Sequence, residues 1–232
     1  MWTILLLATL FAQAPQGMKP GTERWSVKTS LPTTPGKAQN VAITDLLAIQ
    51  DVSGVKKDDK RYQSQRMPAA AGAKYNEGAM ITTTAYLHLV AFETDGDFHI
   101  QVSDSPTSGD NCLIVEVPNP DPAYVSNADL RPTFDAVRTF IKTNLLKGKD
   151  PTTSGSVMQH PVYVTVTGVL FYDDSHVGDP PRGKKGMHAA TLWELHPLTA
   201  IAFAAVPKKG TPTTSSAPPA AEQPRRKAAR RK

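Results

Sequence analysis

The spacing of apolar residues changes character along the chain, and the order of those changes predicts a fold. Residues 80–92 are β-branched and aromatic-rich (Ile81, Thr82, Thr83, Thr84, Tyr86, Leu87, Leu89, Val90) and run into the turn pair Asp95-Gly96, which predicts a long first strand. Phe98, Ile100 and Val102 then alternate with His99, Gln101 and Ser103, the period of a half-buried second strand. After a turn around Ser105-Pro106, residues 112–117 predict a third strand, stopped by Pro118, Pro120 and Pro122. The period then lengthens. Phe134, Val137, Phe140, Ile141 and Leu145 recur three or four apart, so 132–147 predicts an amphipathic helix with Pro132 near its start and Gly148 at its end. Residues 162–171 alternate again as a fourth strand, with a bend or bulge at Gly168, and 191–203 form the fifth. Three strands, a helix and two more strands is the order of a mainly β, five-stranded OB-fold-like Greek-key barrel whose helix plugs one end. On such barrels ligands sit over the second and third strands, between the loops that here span 93–97 and 173–189.

The flanks do not share this patterning. The 232 residues, 40% of them hydrophobic, suffice for one domain of ordinary size plus tails, and the barrel accounts for 77–206. Residues 15–76, rich in Pro, Gly, Lys and Gln, read as an irregular extension with one apolar stretch, 41–52, packing on the domain as a helix or a strand. Residues 1–14, Leu-rich and followed through Ala12-Gln13-Ala14, read as a secretory signal peptide, which predicts a periplasmic or secreted protein. The longest apolar run, 4–12, is too short to span a bilayer, so no transmembrane segment is expected. Cys112 is the only cysteine, which excludes a disulfide scaffold and, with none behind the leader, a lipid anchor. A monomer is expected.

Charge changes the picture at one end only. From residue 207 onward eight Lys and Arg face the single acid Glu222, so this tail carries about +7 and the rest of the chain about −2 of the net +5. The tail is Thr/Ser/Pro/Ala-rich and expected to be disordered. It either solubilises the chain or attaches it to an anionic surface such as nucleic acid, acidic glycan or lipid headgroups. The body is not a basic domain.

The candidate chemistry gathers at the two loops. The first brings Asp95 and Asp97, with His99 on the same side of the following strand as Asp97. The second brings Asp173, Asp174, His176, Asp179, Arg182, Lys184, Lys185 and His188, and the last strand adds Glu194 and His196 opposite Trp193 and Leu195. Carboxylates and imidazoles converging on one face can hold a divalent metal or supply acid/base pairs. They can equally be a solvated face, since no zinc spacing such as His-Glu-x-x-His is present. The metal ligands expected are Asp97, Glu116, Asp173 and His176. Ligand binding falls to Asp97, His99, Lys184, Lys185, Glu194 and His196. In a catalytic reading His99 or His196 is the base and Arg182 stabilises phosphoryl charge. Trp193 either packs in the core or stacks on a ligand, and Cys112 reads as a partly buried thiol. Arg182-Gly183-Lys184-Lys185-Gly186 lacks the G-x-x-x-x-G-K-[ST] order of a nucleotide-binding loop. It is a solvated loop or a basic flap over an anionic ligand.

Two resemblances follow from these residues. Thr94-Asp95-Gly96-Asp97-Phe98 is similar to the D-G-D-T motif of the staphylococcal nuclease-like (thermonuclease) family, exported calcium-dependent nucleases on an OB barrel. That resemblance implies calcium on Asp97 and on a carboxylate at or near Glu116, and a catalytic arginine at Arg182. The family's strand arginine and the glutamate after it have no counterpart, because this chain places Cys112-Leu113-Ile114-Val115 and then Asn119 there. Asp97-Phe98-His99-Ile100, Ile114-Val115-Glu116-Val117, Phe171-Tyr172-Asp173-Asp174-Ser175-His176 and Ala190-Thr191-Leu192-Trp193-Glu194-Leu195-His196-Pro197 also look like a recurring pattern in small exported bacterial proteins of unassigned function. This implies the domain but no ligand.

Three functional readings result. The first is an exported OB-fold binding module that recognises a polyanion such as nucleic acid, or an oligosaccharide, across strands two, three and five and the 173–189 loop. The second is a metal-dependent, thermonuclease-like phosphodiester hydrolase with a divalent cation as cofactor. The third is an envelope structural or interaction protein.

Overall fold

Strands that alternate over this length bury one face completely only by closing on themselves, and they do. The computed structural model describes residues 23–34, 36–69 and 72–206; residues 1–14, expected to be a signal peptide, and the basic tail at 207–232 lie outside the described residues. The strands are β1 (Gln39–Asn40), β2 (Met80–Phe92), β3 (Phe98–Ser103), β4 (Cys112–Val117), β5 (Ser156–Tyr172) and β6 (Ala189–Phe203). They hydrogen-bond in the order β1-β2-β3-β4-β6-β5, and β5 pairs back onto β2, closing a five-stranded barrel. Within the barrel β4 and β6 are parallel and the other pairs antiparallel. This is the predicted strand order.

The core follows the period-2 pattern. Ile81, Leu87 and Val90 of β2, Phe98, Ile100 and Val102 of β3, Leu113, Val115 and Val117 of β4, and Val164, Val166 and Leu170 of β5 meet Leu195 and Leu198 of β6 inside. The helix α3 (Arg131–Leu145) carries Pro132 in its first turn and buries Phe134, Val137 and Ile141, as the 3.6-residue spacing predicted. Gly168 marks the bend in β5. The β5–β6 register shifts on both sides of it, and a Cβ there would lie 3.0 Å from the Pro197 carbonyl oxygen. The fourth strand is longer than its alternation showed. Its pairing with β2 jumps from Val162 to Val157, leaving His160 and Pro161 in the irregularity, and the proline hid the continuation.

The extension before the barrel is a wrap. Two short helices, α1 (Trp25–Lys28) and α2 (Ile43–Leu47), and β1 lie within it, so the 41–52 stretch contains helix and follows a strand. Asp51 Oδ1 accepts the Leu192 N–H at 2.9 Å and the Thr191 hydroxyl at 3.1 Å, and Trp193 Nε1 donates to the Gln50 carbonyl at 3.0 Å. Trp193 is buried, edge-on to Tyr172 at 5.1 Å, and thereby a core residue; Cys112 is a buried free thiol. Among the described residues no helix is long and apolar enough to cross a membrane.

Candidate metal centre

Three adjacent strands build the site. His99 on β3 is the antiparallel partner of Glu116 on β4. One step before, Ile114 and Val115 pair in parallel with Glu194 and Leu195 of β6, so Glu116 and His196 arrive side by side. Asp97 enters from the β2–β3 turn, where Gly96 supplies a φ of 93° and Asp95 Oδ1 accepts the Asp97 N–H at 3.1 Å. The face opposite the core is therefore polar, yet His99, Gln101 and Ser103 are as buried as Phe98 and Ile100. The 173–189 loop and the N-terminal extension cover it.

Asp97, Glu116 and His196 each offer one ligand atom, and these atoms lie within 4.8 Å of one another. His196 Nε2 is 3.3 Å from Asp97 Oδ2, and its Nδ1 is 3.3 Å from Glu116 Oε2 and 3.6 Å from Glu194 Oε2. Neither ring nitrogen completes a hydrogen bond, although the residue is only 1% exposed. His99 Nδ1 bonds Glu116 Oε1 at 2.9 Å, and His99 Nε2 is buried without a partner. Two carboxylates and an imidazole, with a second imidazole beside them, fit a divalent cation of the zinc or manganese kind. Three protein ligands would leave further coordination positions for water or another oxygen donor.

The electrostatics agree with a site that needs a positive charge. Burial opposes charging either imidazole, but the His99–Glu116 hydrogen bond and the close carboxylates around both rings outweigh it, raising His99 above the ordinary range and His196 well above it. Burial likewise favours the neutral form of Glu116, yet the two histidines hold its carboxyl well below the usual range. Asp95, desolvated and beside Asp97, is pushed up to about 6.

A cavity of about 510 Å³ opens above this floor, lined by His99, Glu116, Glu194 and His196 and walled by Lys28, Arg182 and Lys184. Arg182 Nη1 bonds Asp173 Oδ2 at 2.5 Å and Glu194 Oε1, while its Nε and Nη2 are buried without partners. The loop that carries it is pinned at Gln101, whose amide accepts from Lys184 N at 2.8 Å and donates to the Met187 carbonyl at 3.0 Å. Lys184 Nζ meets Glu93 at 3.0 Å.

Of the residues expected to act, His99, Glu116, Glu194, His196, Arg182 and Lys184 line this cavity, and Asp97 meets the group through His196. Asp173 and His176 line the same cavity but join other partners: Asp173 bonds Arg182 and Ser175, and His176 Nδ1 faces Asp179 at 3.2 Å. Lys185 is exposed, with a φ of 57°, and does not line the cavity. Sequence reasoning missed Lys28, Arg24 and Glu93, which also line it. No protein-family model matches the chain, and no curated protein or solved structure is significantly similar to it.

Proposed function

We propose that this chain is a divalent-cation-dependent hydrolase of a phosphate ester, with Asp97, Glu116 and His196 as the protein ligands. The observation that carries the reading is their convergence within 4.8 Å, with Glu116 and His196 lining a cavity that also holds a buried arginine with unused N–H groups. A bound divalent cation would offset the carboxylate charge that otherwise repels an anionic substrate, and would acidify water. The remaining work falls to the chain. His99, which lines the cavity and has its Nδ1 fixed on Glu116, keeps Nε2 without a partner as the atom that takes a proton from water. Arg182, held by Asp173 and Glu194, offers Nε and Nη2 to a phosphoryl oxygen. Attack forms the new P–O bond as the ester P–O bond breaks, and the proton leaves with the alcohol. From the leader sequence we infer that this occurs outside the cytoplasm.

The test is a titration with Zn²⁺, Mn²⁺ and Ca²⁺, read by melting temperature and by release of nitrophenolate from bis(4-nitrophenyl) phosphate. A cation that raises the melting temperature and supports turnover, both lost in Asp97→Ala, is the expected result. No shift with any cation refutes the metal centre. A shift without turnover favours the alternative, recognition of a polyanion or oligosaccharide by the same cavity.

A further inference from the structure

The N-terminal wrap reaches the floor of the cavity at Lys28. The side chain is 9% exposed, and Nζ lies 3.2 Å from Asp95 Oδ2, itself 5% exposed. The other oxygen of that carboxylate, Oδ1, accepts the Asp97 N–H at 3.1 Å. Asp97 in turn accepts the Asn119 N–H on Oδ1 at 2.9 Å and directs Oδ2 to His196. The lysine is itself held in place: its N–H donates to the Arg24 carbonyl at 3.0 Å, and the Arg24 guanidinium is fixed on Glu77 at 2.6 Å.

We propose that Lys28 is a positioning residue of the metal centre, acting through Asp95 to fix the turn that presents Asp97 to the cation. The proposal rests on the metal reading above. Lys28 holds one oxygen of Asp95, and the other holds the Asp97 N–H. Its sign distinguishes it from a bulk charge effect. A lysine beside an acidic cluster repels a divalent ion, so by charge alone its removal tightens cation binding. As a positioning residue its removal weakens binding, because Asp97 loses the anchor of its backbone.

Calorimetric titration of the full chain with Zn²⁺ and Mn²⁺ decides between these. Lys28→Met is expected to weaken the dissociation constant roughly 10- to 100-fold, the range for losing an outer partner of a metal ligand. Lys28→Arg, which keeps a cationic donor for Asp95, is expected to restore most of it. In an Asp95→Ala background, where the relay is already cut, Lys28→Met should leave affinity unchanged or tighter. The double variant also removes both buried charges together, so it remains a folded reference if Lys28→Met alone does not fold. In that event an Asp95→Ala protein with wild-type affinity overturns the proposal. So does folded Lys28→Met at wild-type affinity or tighter, failure of Lys28→Arg to restore it, or equal weakening in both backgrounds. A wild-type chain that binds neither cation overturns the metal reading and this proposal together, whereas the other outcomes overturn the relay alone.

Discussion

The buried ion pair between Arg24 and Glu77 ties the N-terminal wrap to the barrel, and removing the arginine is the sharpest test of that attachment. Arg24 is 2% exposed. Its guanidinium makes a two-pronged contact with Glu77, Nη1 to Oε1 at 2.6 Å and Nη2 to Oε2 at 2.8 Å. It also donates to the carbonyls of Tyr172 at 2.6 Å, Tyr62 at 3.1 Å and Gln65 at 3.2 Å, and lies over the Phe171 ring at 4.8 Å. Arg24→Met keeps much of the volume and removes every donor. Glu77 would still accept from Met67 N and Tyr172 N, but its charge would be stranded in the interior. Breaking one side of a buried pair costs about 3–5 kcal/mol. For a chain of this size that lowers the melting temperature by roughly 6–20 °C. Circular dichroism melts of the full chain read this directly. Replacing both partners, in Arg24→Met/Glu77→Leu, should recover part of the loss, because it leaves no uncompensated charge. A single variant melting within about 2 °C of the wild type would refute the reasoning, since the wrap would then be held by something other than this pair.

Two further outcomes follow from the loop over the cavity. Asp174 is fully buried, its Oδ1 has no partner, and desolvation pushes its carboxyl up to about 6 despite the Asp59 N–H on Oδ2. A folded pKa above the unfolded one stabilises below the unfolded value and loses that contribution as pH rises through the folded value. Asp174→Asn should therefore match the wild type near about pH 4 and exceed it by up to about 3 kcal/mol near about pH 7.5 in urea titrations; equal stability at both would remove the burial argument. Gly183 has a φ of 138°, and a Cβ there would overlap the Met187 carbonyl oxygen. Gly183→Ala should thus loosen the 173–189 loop at a cost of about 1–3 kcal/mol, and limited proteolysis should cut that loop faster. An unchanged cleavage pattern would show that the loop absorbs the clash.

How much of this was legible in the chain depends on whether a contact leaves a period behind. The barrel did, because a strand with one face in the core must alternate: Phe98, Ile100 and Val102 are all buried where the pattern put them. The polar partners of that alternation were legible for the same reason, so Asp97, His99, Glu194 and His196 could be placed on one side before the strands were paired. Their pairing with Glu116 follows from the register of β3 and β4. The wrap left no such trace. Arg24 and Glu77, or Asp51 and Leu192, meet across long separations from a segment without periodicity, and nothing local marks either partner. Within the 173–189 loop, composition placed Asp173 and His176 beside the site but could not tell that Asp173 bonds Arg182 and that His176 faces Asp179.

The charges on the cavity floor explain why so polar a face is covered. Lys28 is committed to Asp95, Lys184 to Glu93, and Arg182 to Asp173 and Glu194. Asp97 and Glu116 face the two imidazoles, with Asp97 also accepting the Asn119 N–H. Two carboxylates taken out of water without a positive charge cost several kcal/mol each, so the fold holds them only with that charge supplied. Protons on His99 and His196 supply it in one state, which is the direction in which both imidazoles are shifted. A divalent cation, bound as we propose, would supply it in the other and take the place of those protons. On that proposal the site would exchange one kind of positive charge for another.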